Sequence, residues 1–328
     1  MLKKLVISTS MAAAALAIVT MSAYEVTAQG KPEIRFGTGR PGGAYYTQGA
    51  VLADELRKSG LVKSANSETS SGAIESARLM VKGTLQVGGM DATWVHLAKN
   101  GGKPFKKKIH LLTATPISVA PLFFVTLADS GIKAINDVRG KRVAVGARGS
   151  GMENHSRKIL KGVGMTFKDI KPVYLSFGPG GRAIREGKAD AQLQCCWPNK
   201  GLTELTELAD VRAVRFPQRQ LDGITNPAPA YWQMILPKGA FKGHKKDVNT
   251  IRITNGWMVP RDSDPQIAYV IAKTVIAKYK EMAKKARHYA SIEQLFKAAR
   301  TEGAKALEVG APLHPGALRA FKEAGIVK

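Results

Sequence analysis

The feature that most constrains the fold is a repeated order of short apolar strands and amphipathic helices joined by glycine-rich loops. One run begins with a strand at 34–36 and continues into a helix at 44–58. A second run begins with a strand at 142–145 and continues into a helix at 152–161. Alternating strands and helices are typical of mainly parallel sheets that carry helices on both faces. Because the pattern restarts, we predict an α/β protein of two lobes, each with a mainly parallel sheet, and a hinge between them.

Proline content indicates where the chain crosses between the lobes. The segments 116–130 and 217–235 contain several prolines and show no helical periodicity. We therefore predict that residues 29–120 and 225–328 form one lobe and that residues 121–224 form a second, inserted lobe. A few backbone torsions in such crossings can absorb a hinge motion.

Local signals predict further elements around these crossings. Apolar residues at 109–115 and 121–127 predict two separate strands, and the β-branched segment 248–259 predicts another. Asp264 is a good N-cap, and Pro265 suits the first position of a helix. The chain beyond it is expected to be mostly helical.

The N-terminus has the pattern of a secretory signal peptide. Lys3 and Lys4 precede an apolar run at 11–19, and small residues lead up to Ala28. The run is shorter than the roughly 20 residues that a membrane span needs, although an N-terminal anchor remains the alternative. We expect residues 1–28 to be cleaved after Ala28 and the mature chain to reach the periplasm.

The charge balance favours anionic partners. Fifty Lys and Arg residues face 25 Asp and Glu residues, a formal net charge of +25, which raises the local concentration of anions. The chain has no nucleic-acid recognition motif and no dense basic run beyond 106–108. We therefore expect a small anionic solute as a partner and no nucleic acid.

The motifs of common enzymes and metal sites do not occur. The sequence contains no Gly-x-Ser-x-Gly, His-Glu-x-x-His or P-loop pattern, and its six histidines are dispersed. His155 is interpreted as a surface or packing histidine and His314 as a helix-entry residue. The adjacent Cys195 and Cys196 would form a strained bridge and are interpreted as small, half-buried residues. No catalytic residue, metal or cofactor is expected.

Two glycine loops, each between a strand and a helix, are the main binding candidates. The first covers 37–46 and the second 146–151. Glycine allows a ligand to approach the backbone, and a helix start offers free N–H groups and a positive dipole end. The first loop formally matches the dinucleotide pattern Gly-x-Gly-x-x-Gly, but an exported chain lies outside the cytoplasmic dinucleotide pool. Two loops on two lobes could hold one anion between them.

Two other parts of the sequence are weaker candidates for ligand binding. The polar segment 67–72 precedes a helix and could bind a ligand or simply cap that helix. Asp91 ends a buried strand and is a pocket candidate, while Trp94 is either a core residue or an apolar pocket wall.

The sequence resembles a known family over nearly the whole mature chain. The matching segments are Gly37-Thr38-Gly39 through Tyr45-Tyr46, Ser71-Gly72-Ala73 through Leu79, Asp137 through Gly146 with Gly149-Ser150-Gly151, Gly187 through Ala191, and Pro312 through Ala317. In these it is similar to the TAXI group of TRAP-transporter solute receptors. Departures from the family pattern occur at Arg40, at Ser76 and at Cys195-Cys196-Trp197.

The resemblance implies a type II-like periplasmic binding protein and not an enzyme. Such a receptor closes about its hinge on a carboxylate such as glutamate or 2-oxoglutarate and delivers it to the membrane permease subunits of a secondary transporter. A receptor for a membrane sensor is the alternative, and an exported enzyme is a third possibility. The predicted ligand-binding residues are Thr38, Gly39, Gly43, Tyr45, Tyr46, Ser70, Ser71, Asp91, Gly149, Ser150 and Gly151.

Overall fold

A computed structural model describes residues 30–39, 44–105, 107–195, 197–226 and 230–328. The predicted signal peptide at 1–28 lies outside the described residues. The fold is α/β with two lobes, which confirms the expected fold class.

The described residues form ten strands and ten helices. The strands are β1 (Glu33–Gly39), β2 (Ser64–Thr69), β3 (Val87–Asp91), β4 (Leu111–Leu127), β5 (Arg142–Ala144), β6 (Lys171–Val173), β7 (Ala191–Gln194), β8 (Val211–Ala213), β9 (Trp232–Leu236) and β10 (Val248–Pro260). The helices are α1 (Ala44–Ser59), α2 (Ala73–Val81), α3 (Ala92–Asn100), α4 (Gly151–Gly162), α5 (Phe177–Arg185), α6 (Lys200–Leu208), α7 (Gln218–Thr225), α8 (Pro265–Lys285), α9 (Ile292–Glu302) and α10 (Pro315–Glu323).

Parallel strands form the outer part of the sheet in each lobe. In the part that we call lobe 1, β1 lies between β2 and β3 and is parallel to both. In the part that we call lobe 2, β5 lies between β6 and β7 and is again parallel to both. Lobe 1 carries α1–α3 and α8–α10, and lobe 2 carries α4–α7. In both lobes a helix follows each parallel strand, as the sequence pattern predicts.

Two long strands join the lobes and make the whole sheet mixed. β4 and β10 run antiparallel to each other, from Leu111 opposite Pro260 to Leu122 opposite Ile251. β10 also pairs with β3 and β9, whereas β4 pairs with β7 and β8, all antiparallel. The predicted parallel sheets therefore acquire antiparallel pairings where the chain passes between lobes.

Most of the first predicted crossing, 116–130, lies within one long strand. The two strands expected at 109–115 and 121–127 are one continuous β4, although Pro116 and Pro121 lie within it. Pro116 faces Gly256, and the pairing shifts register just beside that position. An irregular register tolerates the missing N–H of proline, which a regular ladder would not.

The second predicted crossing, 217–235, contains the helix α7 and the strand β9, so its lack of helical periodicity was misleading. The predicted lobe boundaries after residues 120 and 224 stay a prediction.

Apolar cores stabilise each lobe and the junction between them. Lobe 1 buries Phe36, Leu52 and Trp257 together with α8–α10, and lobe 2 buries a separate cluster around Phe123 and Leu205. A third cluster spans both lobes. Within the described part of the chain, no helix has the length and apolar character to cross a membrane.

Candidate functional site

A cavity of about 690 Å³ lies where the N-terminal ends of six helices meet. Each of α1 to α6 starts just after a strand of the sheet, so the carboxyl ends of the strands and the helix starts face the same space. The lining residues at these starts are Gly39 and Ala44 at α1, Gly72 and Ala73 at α2, Asp91 and Trp94 at α3, Ser150 and Gly151 at α4, Ser176 and Phe177 at α5, and Asn199 and Lys200 at α6. Three of the helices belong to each lobe.

Hydrogen bonds connect the start of α1, at the cavity, to the two strands that join the lobes. The Tyr45 hydroxyl, at the start of α1, donates to Asn255 Oδ1 in β10 at 2.8 Å. Asn255 Nδ2 in turn donates to Ser118 Oγ in β4 at 3.2 Å. Tyr45 is thereby held between lobe 1 and the crossing strands, with its ring against Trp257.

The end of β1, where the first glycine loop begins, is held by the neighbouring strand β2. The Thr38 hydroxyl donates to the carbonyl of Glu68 at 2.9 Å. Gly39 has a φ of +102°, a conformation that side chains with a Cβ rarely adopt. Both residues line the cavity, so this loop requires glycine for its backbone conformation in addition to any closeness to a ligand.

In the second glycine loop, hydrogen bonds to residues of α4 already occupy some of the groups that could bind an anion. Ser150 is the N-cap of α4, and its Oγ accepts from the Glu153 N–H at 3.2 Å. The Gly149 N–H donates to Glu153 Oε2 at 2.6 Å, so this amide is already engaged by a carboxylate. Gly151 lies against lobe 1, where a Cβ added to it would be 3.7 Å from Trp94 Nε1.

Asp91 connects the two lobes at the wall of the cavity. Its Oδ1 accepts hydrogen bonds from the Thr93 N–H at 2.8 Å, the Thr93 hydroxyl at 2.5 Å and the Trp94 N–H at 3.2 Å, which caps α3. Its Oδ2 lies 3.4 Å from His155 Nε2 in α4. The second ring nitrogen of His155 is 2.8 Å from the Tyr231 hydroxyl.

These contacts determine the charge of the buried carboxyl group. Burial raises the pKa of Asp91, but His155 and the hydrogen bonds from Thr93 and Trp94 outweigh burial and hold that pKa below its usual value. Burial raises the pKa of the Tyr231 hydroxyl well above its usual value, and the charge of Asp91 adds to the effect. Asp91 is therefore a carboxylate at neutral pH and Tyr231 a neutral phenol.

The structure brings most of the predicted binding residues to this cavity. Those that line it are Thr38, Gly39, Tyr45, Ser71, Asp91, Ser150 and Gly151. Tyr46, Ser70 and Gly149 are outside the described lining, and Gly43 lies outside the described residues. Ser70 is buried and its hydroxyl lies 2.9 Å from Ser76 Oγ, whereas the Tyr46 ring is 37% exposed. Ligand contact by any of these residues stays a prediction.

The sequence interpretation missed several lining residues. His155 was interpreted as a surface or packing histidine, yet it lines the cavity, one turn after Gly151 on the same face of α4. Ser176 and Phe177 precede the glycine-rich segment 178–181, a signal similar to those of the two predicted loops. Arg287 reaches the cavity from the distant C-terminal part of lobe 1, and no local pattern indicates that.

Basic groups outnumber acidic groups around the cavity. Asp91 is the one Asp or Glu among the described lining residues, which also include Lys200, Lys285 and Arg287. Lys285 Nζ lies 3.1 Å from Glu55 Oε1, and Lys200 Nζ lies 3.6 Å from Glu204 Oε1. Six positive helix ends add to this potential.

Arg148, by contrast, stacks over the Tyr174 ring at 3.7 Å and is not part of the described lining. Arg40 lies outside the described residues.

Among the residues that the structure covers, no group of three or more His, Cys, Asp and Glu side chains could hold a metal ion. The single described cysteine, Cys195, is buried.

Comparison with known proteins adds a family match and a similarity of fold. The sequence model of the NMT1-like family matches residues 36–325. The ATP-bound protein XAC2383 from Xanthomonas citri is similar with a TM-score of 0.50 at 11% identity, over 90% of this chain and 97% of that one.

Two further solved structures are similar at lower TM-scores. A TctC solute-binding protein from Polaromonas gives 0.49 at 14% identity, over 92% of this chain and 98% of that one. The periplasmic aliphatic sulphonate binding protein SsuA from Escherichia coli gives 0.45 at 15% identity, over 90% of this chain and 84% of that one. At these identities the similarity concerns the fold alone.

Proposed function

Because the chain belongs to the NMT1-like family, we propose that it is a solute-binding receptor that holds a small anionic solute in the cavity between its lobes. The solute would contact both lobes and would be passed to a membrane transporter.

The convergence of six helix starts on one cavity is the observation that supports this proposal. Each helix start carries N–H groups without a partner inside its helix and about half a positive charge. At two of them, Gly72 before α2 and Ser176 before α5, the N-cap side chain makes no capping hydrogen bond. At α2 the Ser71 N–H already donates to Glu75 Oε2 and the Gly72 N–H to Ser70 Oγ, so the N–H groups of the first helical turn are the donors that an anion would use. One of these ends belongs to each lobe, so an anion between them could accept hydrogen bonds from both.

The finer features of the proposal come from the sequence. The TAXI resemblance implies a carboxylate as the solute and a TRAP-type permease as the partner. Periplasmic location, removal of residues 1–28, closure about the hinge and the lobe limits at 29–120 with 225–328 and at 121–224 belong to the same proposal. A receptor for a membrane sensor would use the same cavity, and a neighbouring gene for a multi-span permease would distinguish transport from sensing.

A thermal-shift screen tests the proposal. The panel contains mono- and dicarboxylates, sulfonates, sugars and polyamines, each at equal ionic strength, because a chain of this net charge binds anions weakly over its whole surface. An acid at about 100 times its Kd should stabilise the fold by about 2.7 kcal/mol. A sugar or a polyamine as the sole stabilising compound would contradict an anion receptor.

A further inference from the structure

The cavity is larger than a compact acid requires. Its volume of about 690 Å³ lies well inside the range of roughly 300–1,000 Å³ that small-molecule sites have. Binding sites of this size usually enclose ligands of drug-like dimensions and bury most of their surface. In the described conformation, a short dicarboxylate would therefore leave much of the space to water.

The walls on both lobes are partly apolar. Trp94 and Met152 are 7% and 5% exposed and belong to the apolar cluster that spans the lobes. Phe177 in α5 and Ala73 in α2 are half-buried and pack against the same cluster. All four side chains line the cavity, so a ligand body placed there would contact the edge of the core and gain from burial of apolar surface.

The charges around the cavity suit one acid group better than two. Two of the three lining cations, Lys285 and Lys200, already lie within 4 Å of a carboxylate of the chain. Asp91 adds a negative charge at the buried wall, and a second ligand carboxylate placed beside it would be repelled. Arg287 and the first-turn N–H groups of α2 and α5 remain for a single acid group.

We propose that the solute is a monoacid with a bulky apolar body, such as an arylalkanoate, and not a compact dicarboxylate. This proposal rests on the proposed function, since it names the substrate class of the same site. The acid group binds at the helix starts, and the apolar body lies against Trp94, Met152 and Phe177.

Calorimetric titration of the full mature chain with matched probes tests the substrate class. The probes are 3-phenylpropanoate and indole-3-acetate as apolar monoacids, glutarate and 2-oxoglutarate as dicarboxylates, and 3-phenylpropanol as an uncharged analogue. We expect the apolar monoacids to bind at least about tenfold more tightly than the dicarboxylates, because a single apolar group can change affinity by about 10–200-fold.

A pair of phenylalanine variants locates the apolar contact. Phe177→Ala should weaken binding of 3-phenylpropanoate about tenfold. Phe167→Ala is the matched control, because Phe167 is also half-buried in lobe 2 but packs on Tyr174 and beneath Arg157, away from the described lining. The melting temperature of each variant without ligand reports whether the variant is folded. The comparison of probes on the unaltered chain does not depend on either variant.

Three outcomes are distinguishable. Tighter binding of the apolar monoacids, weakened by Phe177→Ala alone, supports the proposal. Dicarboxylates that bind as tightly as the monoacids, or a Phe177→Ala variant that is folded and binds normally, overturn it and leave an anion receptor in place. If none of the acids binds, or if 3-phenylpropanol binds as tightly as 3-phenylpropanoate, the proposed function itself is contradicted.

Discussion

At the scale of single residues, buried polar side chains fix the helix ends and make the fold sensitive to pH. His314 is 2% exposed, and its Nδ1 accepts from the Gly316 N–H at 3.3 Å, which caps α10. Burial lowers the pKa of His314 below its usual value, although hydrogen bonding to the backbone of Arg261 and Ser263 opposes the shift. The helix-entry role expected from the sequence is therefore confirmed.

This pKa shift predicts a loss of stability at mildly acidic pH. The unfolded chain takes up a proton at His314 as the pH falls below 6.5, whereas the fold favours the neutral ring, so the free energy of unfolding decreases there. His314→Asn keeps a capping oxygen but does not titrate. Urea unfolding between about pH 7 and about pH 5 should show a smaller decrease for the variant. His244, whose pKa is also lowered by burial, is common to both proteins, so equal decreases would contradict the role of His314.

Residue-level prediction from the sequence succeeded where a local rule applied. Asp91 was expected in the pocket because it ends a buried strand, and it lies there. The partner of its carboxylate, His155, is 64 residues away in the other lobe, and no local rule pairs them. Gly39 and Gly151 were expected to allow a close ligand, and that expectation stays a prediction. The structure adds that Gly39 has a positive φ and that a Cβ at Gly151 would come 3.7 Å from Trp94 Nε1.

At the scale of secondary structure elements, capping signals predicted helix starts better than prolines and apolar runs predicted the limits of strands. Asp264 accepts from the Gln266 N–H at 2.8 Å, with Pro265 at the first position of α8, as expected. The prolines of β4 misled the prediction because the partner strand β10 shifts register beside Pro116. That compensation lies more than a hundred residues away in sequence, beyond the reach of a local pattern.

The start of α3 should be unusually costly to disrupt. Asp91→Ala removes an N-cap, worth about 1 kcal/mol, and leaves the buried His155 without its carboxylate, worth about 1–3 kcal/mol more. The total expected loss in the free energy of unfolding is about 2–4 kcal/mol. Asp91→Asn retains a capping oxygen and should lose less. Asp264→Ala, which removes the N-cap of α8, is the matched control for capping alone, and urea unfolding measures both losses. If Asp91→Ala loses no more free energy of unfolding than Asp264→Ala, the contact with His155 does not stabilise the fold.

At the scale of the whole molecule, the sequence predicted two lobes and two of the loops at the cavity. It did not predict all of the elements that line the cavity. The strand–helix alternation is local, so the helix starts of both lobes could be anticipated. The pairing of β4 with β10 and the approach of Arg287 to the cavity arise from contacts between distant segments, which periodicity does not encode. With helix starts from both lobes at one cavity, we propose that one solute contacts both lobes.

Blocking the cavity from each side tests whether one solute contacts both lobes. Ser71, before α2, and Ser176, before α5, are exposed serines that line the cavity from opposite lobes, whereas Ser59 is an exposed serine at the end of α1, away from the described lining. Calorimetric titration with the tightest acid from the screen should show that Ser71→Trp and Ser176→Trp each weaken binding by at least about tenfold, while Ser59→Trp binds as the unaltered chain does. Weakening by only one of the two cavity variants would place the solute in a single lobe, and normal binding by both would place it outside the cavity altogether.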